Sequence, residues 1–279
     1  MTNKKNIVLD RKSDKPILLD LAYDEEKHQQ PIVIFCHGYK GFKDWGAWDL
    51  FSQKVADAGF CFVKFNFAYN GCTIEDPLNF KDLEAFGQNN YSQEVKDLEA
   101  VMHWCRSKFK DNPAINTSSF ILIGHSRGGG IVLLTASKHA LVKKVITLAG
   151  VSDYKIRFGS DNAIEEWRKS GVKYVLNGRT KQQMPHDFQF YEDFIGNEEQ
   201  LTIETAVKQL KIPYLIIHGL EDQAVAAAEA HQLHDWCPQS TLHLIDHADH
   251  VFNTKHPWGD TSLPDTFKEA IDKMLEFIK

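Results

Sequence analysis

Short, wholly apolar runs alternate with longer amphipathic ones through most of this chain. The apolar runs are Pro31–Cys36, Phe60–Phe67, Ser119–Ile123 and Lys143–Ala149, with two more over 212–218 and 240–245. Runs of this length and content, rich in Ile, Val and Phe, predict strands covered on both faces. Between them, residues 47–58 place Trp48, Phe51, Val55 and Ala58 at helical spacing before a Gly59 stop. Tyr91–Lys108 does the same with Val95, Leu98, Val101, Met102 and Cys105, and helices are expected at 225–236 and 264–278. At the start, Ile7–Asp10 and Ile17–Tyr23 flank a polar 12–16 turn, the pattern of an antiparallel hairpin. Strands alternating with helices predict an α/β fold. Its mostly parallel central sheet is flanked by helices and carries its site at the strands' C-terminal ends.

Two stretches break the alternation. Ala68–Asn90 is polar and aromatic without a period, and a loop of that length in a compact domain is usually functional or mobile. From 150 to 209, Trp167, Tyr174, Phe188, Phe190, Tyr191 and Phe194 stand among many charges, with helix-like pieces near 162–170 and 202–210. This segment reads as a cap inserted within one domain that spans 1–279.

The chemistry centres on Gly124-His125-Ser126-Arg127-Gly128. An apolar strand leads into it, and Gly129–Ala136 continues from it with the content of a buried helix. A strand that turns into a helix within a residue or two strains the corner and holds the serine hydroxyl clear of the sheet. The helix amides behind it favour negative charge. In that context G-x-S-x-G reads as a nucleophile elbow, with an idle serine in a tight turn as the bland alternative.

A serine at neutral pH needs a base to take its proton and an acid to orient the base. On this topology both follow the serine, acid first, each after a late strand. Asp222 follows the strand 212–218 and His250 follows the strand 240–245, so Ser126, Asp222 and His250 form the expected triad. Asp153 is the alternative acid and His247 the alternative base. Two amides should hold the oxyanion, those of Arg127 and of Tyr39 in the turn after Cys36, where Gly38 lets the backbone approach closely. Gly38, His125 and the cap residue Trp167 are the expected substrate contacts.

Composition narrows the partners. A net charge of -6 over 279 residues argues against nucleic acid and gives no reason to expect an anionic membrane surface. No apolar segment reads as a secretory leader or a membrane span. Five cysteines without a C-x-x-C, two of them (Cys36 and Cys61) inside expected strands, suit a reduced, cytoplasmic protein. His243, His247 and His250 have a spacing that suggests a metal, but a strand-to-loop segment would not aim all three at one ion, and no metal is expected. Lys40, Lys43 and Lys64 are expected on solvated surface. The Arg127 side chain either pairs with a neighbouring loop or meets a substrate carboxylate.

Taken together, His37-Gly38, Gly124–Gly129, His218–Asp222 and Ala248–Phe252 resemble the α/β-hydrolase superfamily over nearly the whole chain. Within it the chain is similar to the small intracellular esterases of the cinnamoyl/feruloyl-esterase and dienelactone-hydrolase-like groups. The resemblance implies an α/β-hydrolase fold with the 150–209 cap between the sixth and seventh strands. One departure is Ala226, where proline commonly follows the valine. Another is the serine itself, because true dienelactone hydrolases use cysteine. The activity expected is hydrolysis of a small to medium carboxylic ester through an acyl-enzyme, without a cofactor. The alternatives are an amide, thioester or aminopeptidase-type hydrolase, with Glu165, Glu166 or Asp187 meeting a substrate amine, and a catalytically silent ligand binder.

Overall fold

The computed structural model describes residues 1–12 and 14–279. The chain opens with β1 (Thr2–Leu9), β2 (Ile17–Tyr23), β3 (Gln30–Cys36), α1 (Trp48–Asp57) and β4 (Cys61–Phe65). There follow α2 (Leu83–Gln88), α3 (Tyr91–Lys108), β5 (Ile115–His125), α4 (Arg127–Ala136) and β6 (Val142–Leu148). A short 3-10 turn at Lys155–Phe158 precedes α5 (Asp161–Ser170), β7 (Val172–Leu176), β8 (Gln183–Asp187), α6 (Gln189–Gly196), α7 (Glu198–Leu201) and α8 (Ile203–Gln209). The chain closes with β9 (Tyr214–Gly219), α9 (Ala227–Trp236), β10 (Thr241–Ile245) and α10 (Asp265–Ile278).

Among the described residues, eight strands form one sheet in the order β1-β2-β4-β3-β5-β6-β9-β10. β1 and β2 join antiparallel, and every pair from β4 to β10 is parallel. The expected 12–16 turn between β1 and β2 includes Ser13, which lies outside the described residues. β1 begins five residues before the expected Ile7 because its first half is a polar, exposed edge that no apolar run announces.

Alternation along each central strand fills two cores. Val33 and Phe35 of β3, with Ile121 and Ile123 of β5, face Trp48, Phe51 and Val55 of α1 and Phe267, Ile271 and Met274 of α10. Ile32, Ile34, Phe120 and Leu122 face the other way, toward α3, α4, α8 and α9. Each such side chain stabilises the fold by about 1.5–3 kcal/mol on burial. On this second face the core continues past the sheet into Phe158, Trp167, Phe190 and Phe194.

Those aromatic residues belong to the excursion between β6 and β9. α8 packs on α4 and α9 as an ordinary crossover helix, so the overhanging part ends near Leu201. It is built on the antiparallel β7–β8 hairpin, which periodicity does not reveal because both strands are five residues long and Tyr174 and Leu176 point outward. α2 likewise falls within the stretch expected to be irregular, closed by Asp82, whose side chain accepts from the Ala85 amide.

Lys43 and Lys64 correct the surface expectation. Their side chains are 0% and 2% exposed, and both ammonium groups meet Asp20 and Asp44. Lys64 also reaches Asp49 at 2.6 Å. Lys64 stands directly across the ladder from Asp20, so strand register alone creates the pair. Burial would lower the Lys64 ammonium, but the carboxylates of Asp44, Asp20 and Asp49 raise it above the ordinary lysine value. Asp20, Asp44 and Asp49 are the sole cluster of possible metal ligands among the described residues, and the two lysines already neutralise it.

Candidate active site

β5 ends at His125 and α4 begins at Arg127, leaving Ser126 alone at the corner with φ 55° and ψ -120°. That conformation is rare for a residue with a Cβ and persists only where its surroundings impose it. A Cβ on Gly124 would run into the Gly128 carbonyl, and one on Gly128 would lie 2.5 Å from the Cys36 oxygen. Both glycines are therefore steric requirements of the turn.

Three loops converge on the serine. His250 Nδ1–H donates to Asp222 Oδ2 at 2.8 Å, and His250 Nε2 lies 3.0 Å from Ser126 Oγ. The Asp222 side chain is fully buried, and its other oxygen accepts from the amides of Ala224 and Val225 at 2.8 and 2.9 Å. His218 Nε2 adds a contact at 3.3 Å to Oδ2 while donating to the Val225 carbonyl. Burial pushes the Asp222 carboxyl up, but the hydrogen bonds from His218, His250 and Val225 outweigh it and hold it well below the usual carboxylate range. The alternative partners stand elsewhere. Asp153 accepts from the Lys155 amide in its own turn, and His247 is exposed and bonded to Glu221. His243 bonds Glu269, so the three histidines share no centre.

The turn after β3 presses on Ser126, since a Cβ on Gly38 would lie 2.8 Å from Ser126 Cβ. The Phe67 amide donates to His37 Nε2, which leaves Nδ1–H to donate to the Gly38 carbonyl at 2.9 Å. The Gly41 amide donates to the same carbonyl at 3.0 Å. A trans peptide points its C=O and N–H in opposite directions, so fixing the Gly38 oxygen fixes the direction of the Tyr39 N–H. The sequence marked the turn and His37 within it, but left the His37 side chain without a role. Its position beside the glycine was the available signal.

A match to the alpha/beta hydrolase fold profile covers residues 31–183, more than half of the chain. The chain belongs to the alpha/beta hydrolase fold family. It is similar to an uncharacterised 31.7 kDa protein of Escherichia coli, at 21% identity over 87% of this chain and 90% of that one. Among solved structures it resembles Est1E of Butyrivibrio proteoclasticus bound to ferulic acid, with TM-score 0.69, 17% identity, and 98% and 99% of the two chains covered. It also resembles a putative hydrolase of Agrobacterium vitis, with TM-score 0.71, 18% identity and full coverage of both chains.

In this alpha/beta hydrolase two cavities meet at Ser126, His250, Tyr39 and Lys40. The smaller, about 160 Å³, runs toward Trp45, Trp48 and Val251. The larger, about 670 Å³, runs under the β7–β8 hairpin and is walled by Tyr91, Arg127, Tyr154, Phe158, Lys173 and Phe190. Arg127 pairs within the protein, as in the first of its two expected roles, but with a helix and not a loop: its partner Glu94 is in the first turn of α3. Arg127 bonds Glu94 at 3.1 Å and lies over the rings of Tyr39, Tyr91 and Phe190.

One expected contact, Trp167, is displaced from the cavities, and another, His125, has a second task. Trp167 lines neither cavity. It is the one buried residue of α5, and its indole N–H donates to the His186 carbonyl at 2.8 Å, so it anchors the hairpin from below. His125 borders the smaller cavity, but its Nε2–H donates to the His250 carbonyl at 2.8 Å, so its polar atom supports the loop of the histidine. His186 was not anticipated. It hydrogen-bonds the Tyr39 hydroxyl at 2.7 Å and ties the hairpin to the turn after β3, and its place in a five-residue strand without an apolar period offered no signal. Burial holds His37 down to about 4 and His125 and His186 down to about 3, with nearby positive groups adding to each.

Proposed function

We propose that the chain is a serine esterase that cleaves a small to medium carboxylic ester through an acyl-enzyme. The observation that carries this reading is the continuous hydrogen-bonded line from Asp222 through His250 to the strained Ser126. Asp222 holds the imidazole with Nδ1 protonated and stabilises the imidazolium that forms. His250 Nε2 takes the Ser126 proton as Oγ adds to the ester carbonyl, then gives it to the leaving alkoxide. Water attacks the acyl-enzyme by the same relay in reverse. The amides of Tyr39 and Arg127 receive the oxyanion. Support for this comes from the fixed Gly38 carbonyl on one side and from the first turn of α4 on the other, where an N–H has no intrahelical partner.

The residues between β6 and α8 act as a cap that encloses the larger cavity. An aminopeptidase reading loses its anionic anchor. Glu165 and Glu166 are exposed and paired with Arg168 and Lys169, Asp187 borders neither cavity, and no carboxylate lines the larger one among the described residues. The test is labelling with an alkyl fluorophosphonate followed by peptide mapping, alongside release of 4-nitrophenol from short 4-nitrophenyl esters. Stoichiometric modification at Ser126, lost in Ser126→Ala together with turnover, is the expected result. A folded protein that neither labels nor turns over would leave the ligand-binding reading in its place.

A further inference from the structure

The wall of the larger cavity is at odds with the chain's overall charge. The protein is net acidic, at -6, yet Lys40, Arg127, Arg157 and Lys173 line this cavity and no aspartate or glutamate does among the described residues. Two of the four cations are already answered, Arg127 by Glu94 and Arg157 by Glu229. The other two have no carboxylate within 4 Å among the described residues. Lys40 Nζ meets only the Leu176 carbonyl, at 3.5 Å, and sits 4.9 Å from the Tyr39 ring. Lys173 Nζ lies 3.7 Å over the Trp167 ring. Lys40 reaches from the turn after β3 to the end of β7, the strand that also carries Lys173. Lys40 also occupies φ 54°, a conformation that glycine or asparagine would adopt at lower cost. Burial, with Arg127 nearby, lowers both ammonium groups from the ordinary lysine value, as expected for cations that lack a counter-charge.

We propose that Lys40 and Lys173 bind a carboxylate carried by the substrate at a distance from its scissile ester, so that the enzyme takes esters with an anionic end. This rests on the esterase reading above. A carboxylate that reaches either partly desolvated ammonium group forms charge-assisted hydrogen bonds, with the second cation adding to the field, while the aromatic wall covers the apolar part of the same molecule.

The test compares kcat/KM for two matched pairs: 4-nitrophenyl octanoate against 4-nitrophenyl hydrogen suberate, and phenyl acetate against 4-acetoxybenzoate. The charged member of at least one pair is expected to lead by about tenfold or more. In Lys40→Gln/Lys173→Gln protein that ratio falls by at least about tenfold, and Lys40→Arg/Lys173→Arg, which keeps the charge, restores most of it. Neutral members leading or equalling in both pairs, or a ratio that survives the double glutamine change, overturns the proposal. Calorimetric titration of Ser126→Ala protein with suberate and with dimethyl suberate needs no turnover and keeps the two failures apart. Suberate binding that the glutamine variant loses supports the anion site even if no ester is cleaved. Esters cleaved without suberate binding leave the esterase reading standing and refute this one.

Discussion

His37, His125 and His186 are 3%, 6% and 5% exposed, and each uses its neutral form to hold a different wall of the site. Their folded-state values near 4, 3 and 3 lie below the 6.5 of an unfolded histidine. For a base with a lowered value the unfolded chain binds the extra proton, so the stability each contributes is complete above 6.5 and drains away as pH falls, toward 4 for His37 and toward 3 for His125 and His186. At pH 5 the loss is about 2 kcal/mol per histidine, about 6 kcal/mol for the three. Asp97 works in the opposite direction, because burial pushes it up to about 6 against the pull of Arg11. The folded state then gains the proton first, which returns about 1–1.5 kcal/mol at pH 5. A net loss of about 4–5 kcal/mol between pH 7.5 and pH 5 is a large share of a typical domain's stability. Urea unfolding at half-unit steps across that range measures it, and His125→Gln should flatten the slope by about one proton. A stability at pH 5 within about 1 kcal/mol of that at pH 7.5 would refute the claim that these rings are buried and neutral.

Asp222→Asn should lower kcat by up to about 10⁴ through loss of tautomer control, while Asp153→Asn stays near wild type. The reverse pattern in steady-state ester assays would move the acid to Asp153. Lys64→Met strands Asp20 and Asp44 with one buried cation fewer and should cost about 3–5 kcal/mol in denaturant unfolding. A cost below about 1 kcal/mol would show the network to be idle. His186→Phe keeps the ring volume but breaks the 2.7 Å bond to Tyr39. It should raise KM and lower kcat together, and a variant with unchanged kinetics would show that the hairpin and the Tyr39 turn are uncoupled.

The parts of the molecule built on periodicity were legible. The expected Tyr91–Lys108 helix coincides with α3, and β2 coincides with Ile17–Tyr23, because each repeats apolar residues at its own period, a pattern that survives Glu94 and Asp97 on the buried face of α3. The corner at Ser126 was legible for a different reason, since glycines at 124 and 128 are what a strand-to-helix reversal requires sterically. What periodicity missed has in common that its determinants are pairwise. β7 and β8 are strands only because each satisfies the other's backbone. Lys64 and Asp20 read separately as stray charges in apolar strands, and only their shared register turns them into a buried pair. Trp167 attracts attention as a large aromatic residue in the excursion between β6 and β9, but as the one buried position on a mostly polar helix it is an anchor and not a ligand contact. His186 required knowledge of where Tyr39 lies, 147 residues away.

These pairwise contacts converge on one short segment. The turn after β3 is held at its start by His37, at Tyr39 by His186, and at Lys43 and Asp44 by the buried charge network that reaches Asp20 and Lys64. An oxyanion donor acts by being in place before charge develops, because any reorganisation during the reaction subtracts from its effect. A backbone amide has no rotamer with which to adjust, so its precision comes entirely from the groups that hold the chain on either side. Under the oxyanion role proposed for the Tyr39 amide, this accounts for the histidines and lysines that cluster around residues 37–44 without meeting a substrate carbonyl. It also separates their consequences. Loosening His37 or Lys64 should weaken stabilisation of the transition state, whereas loosening His186 also opens the cavity where substrate binds.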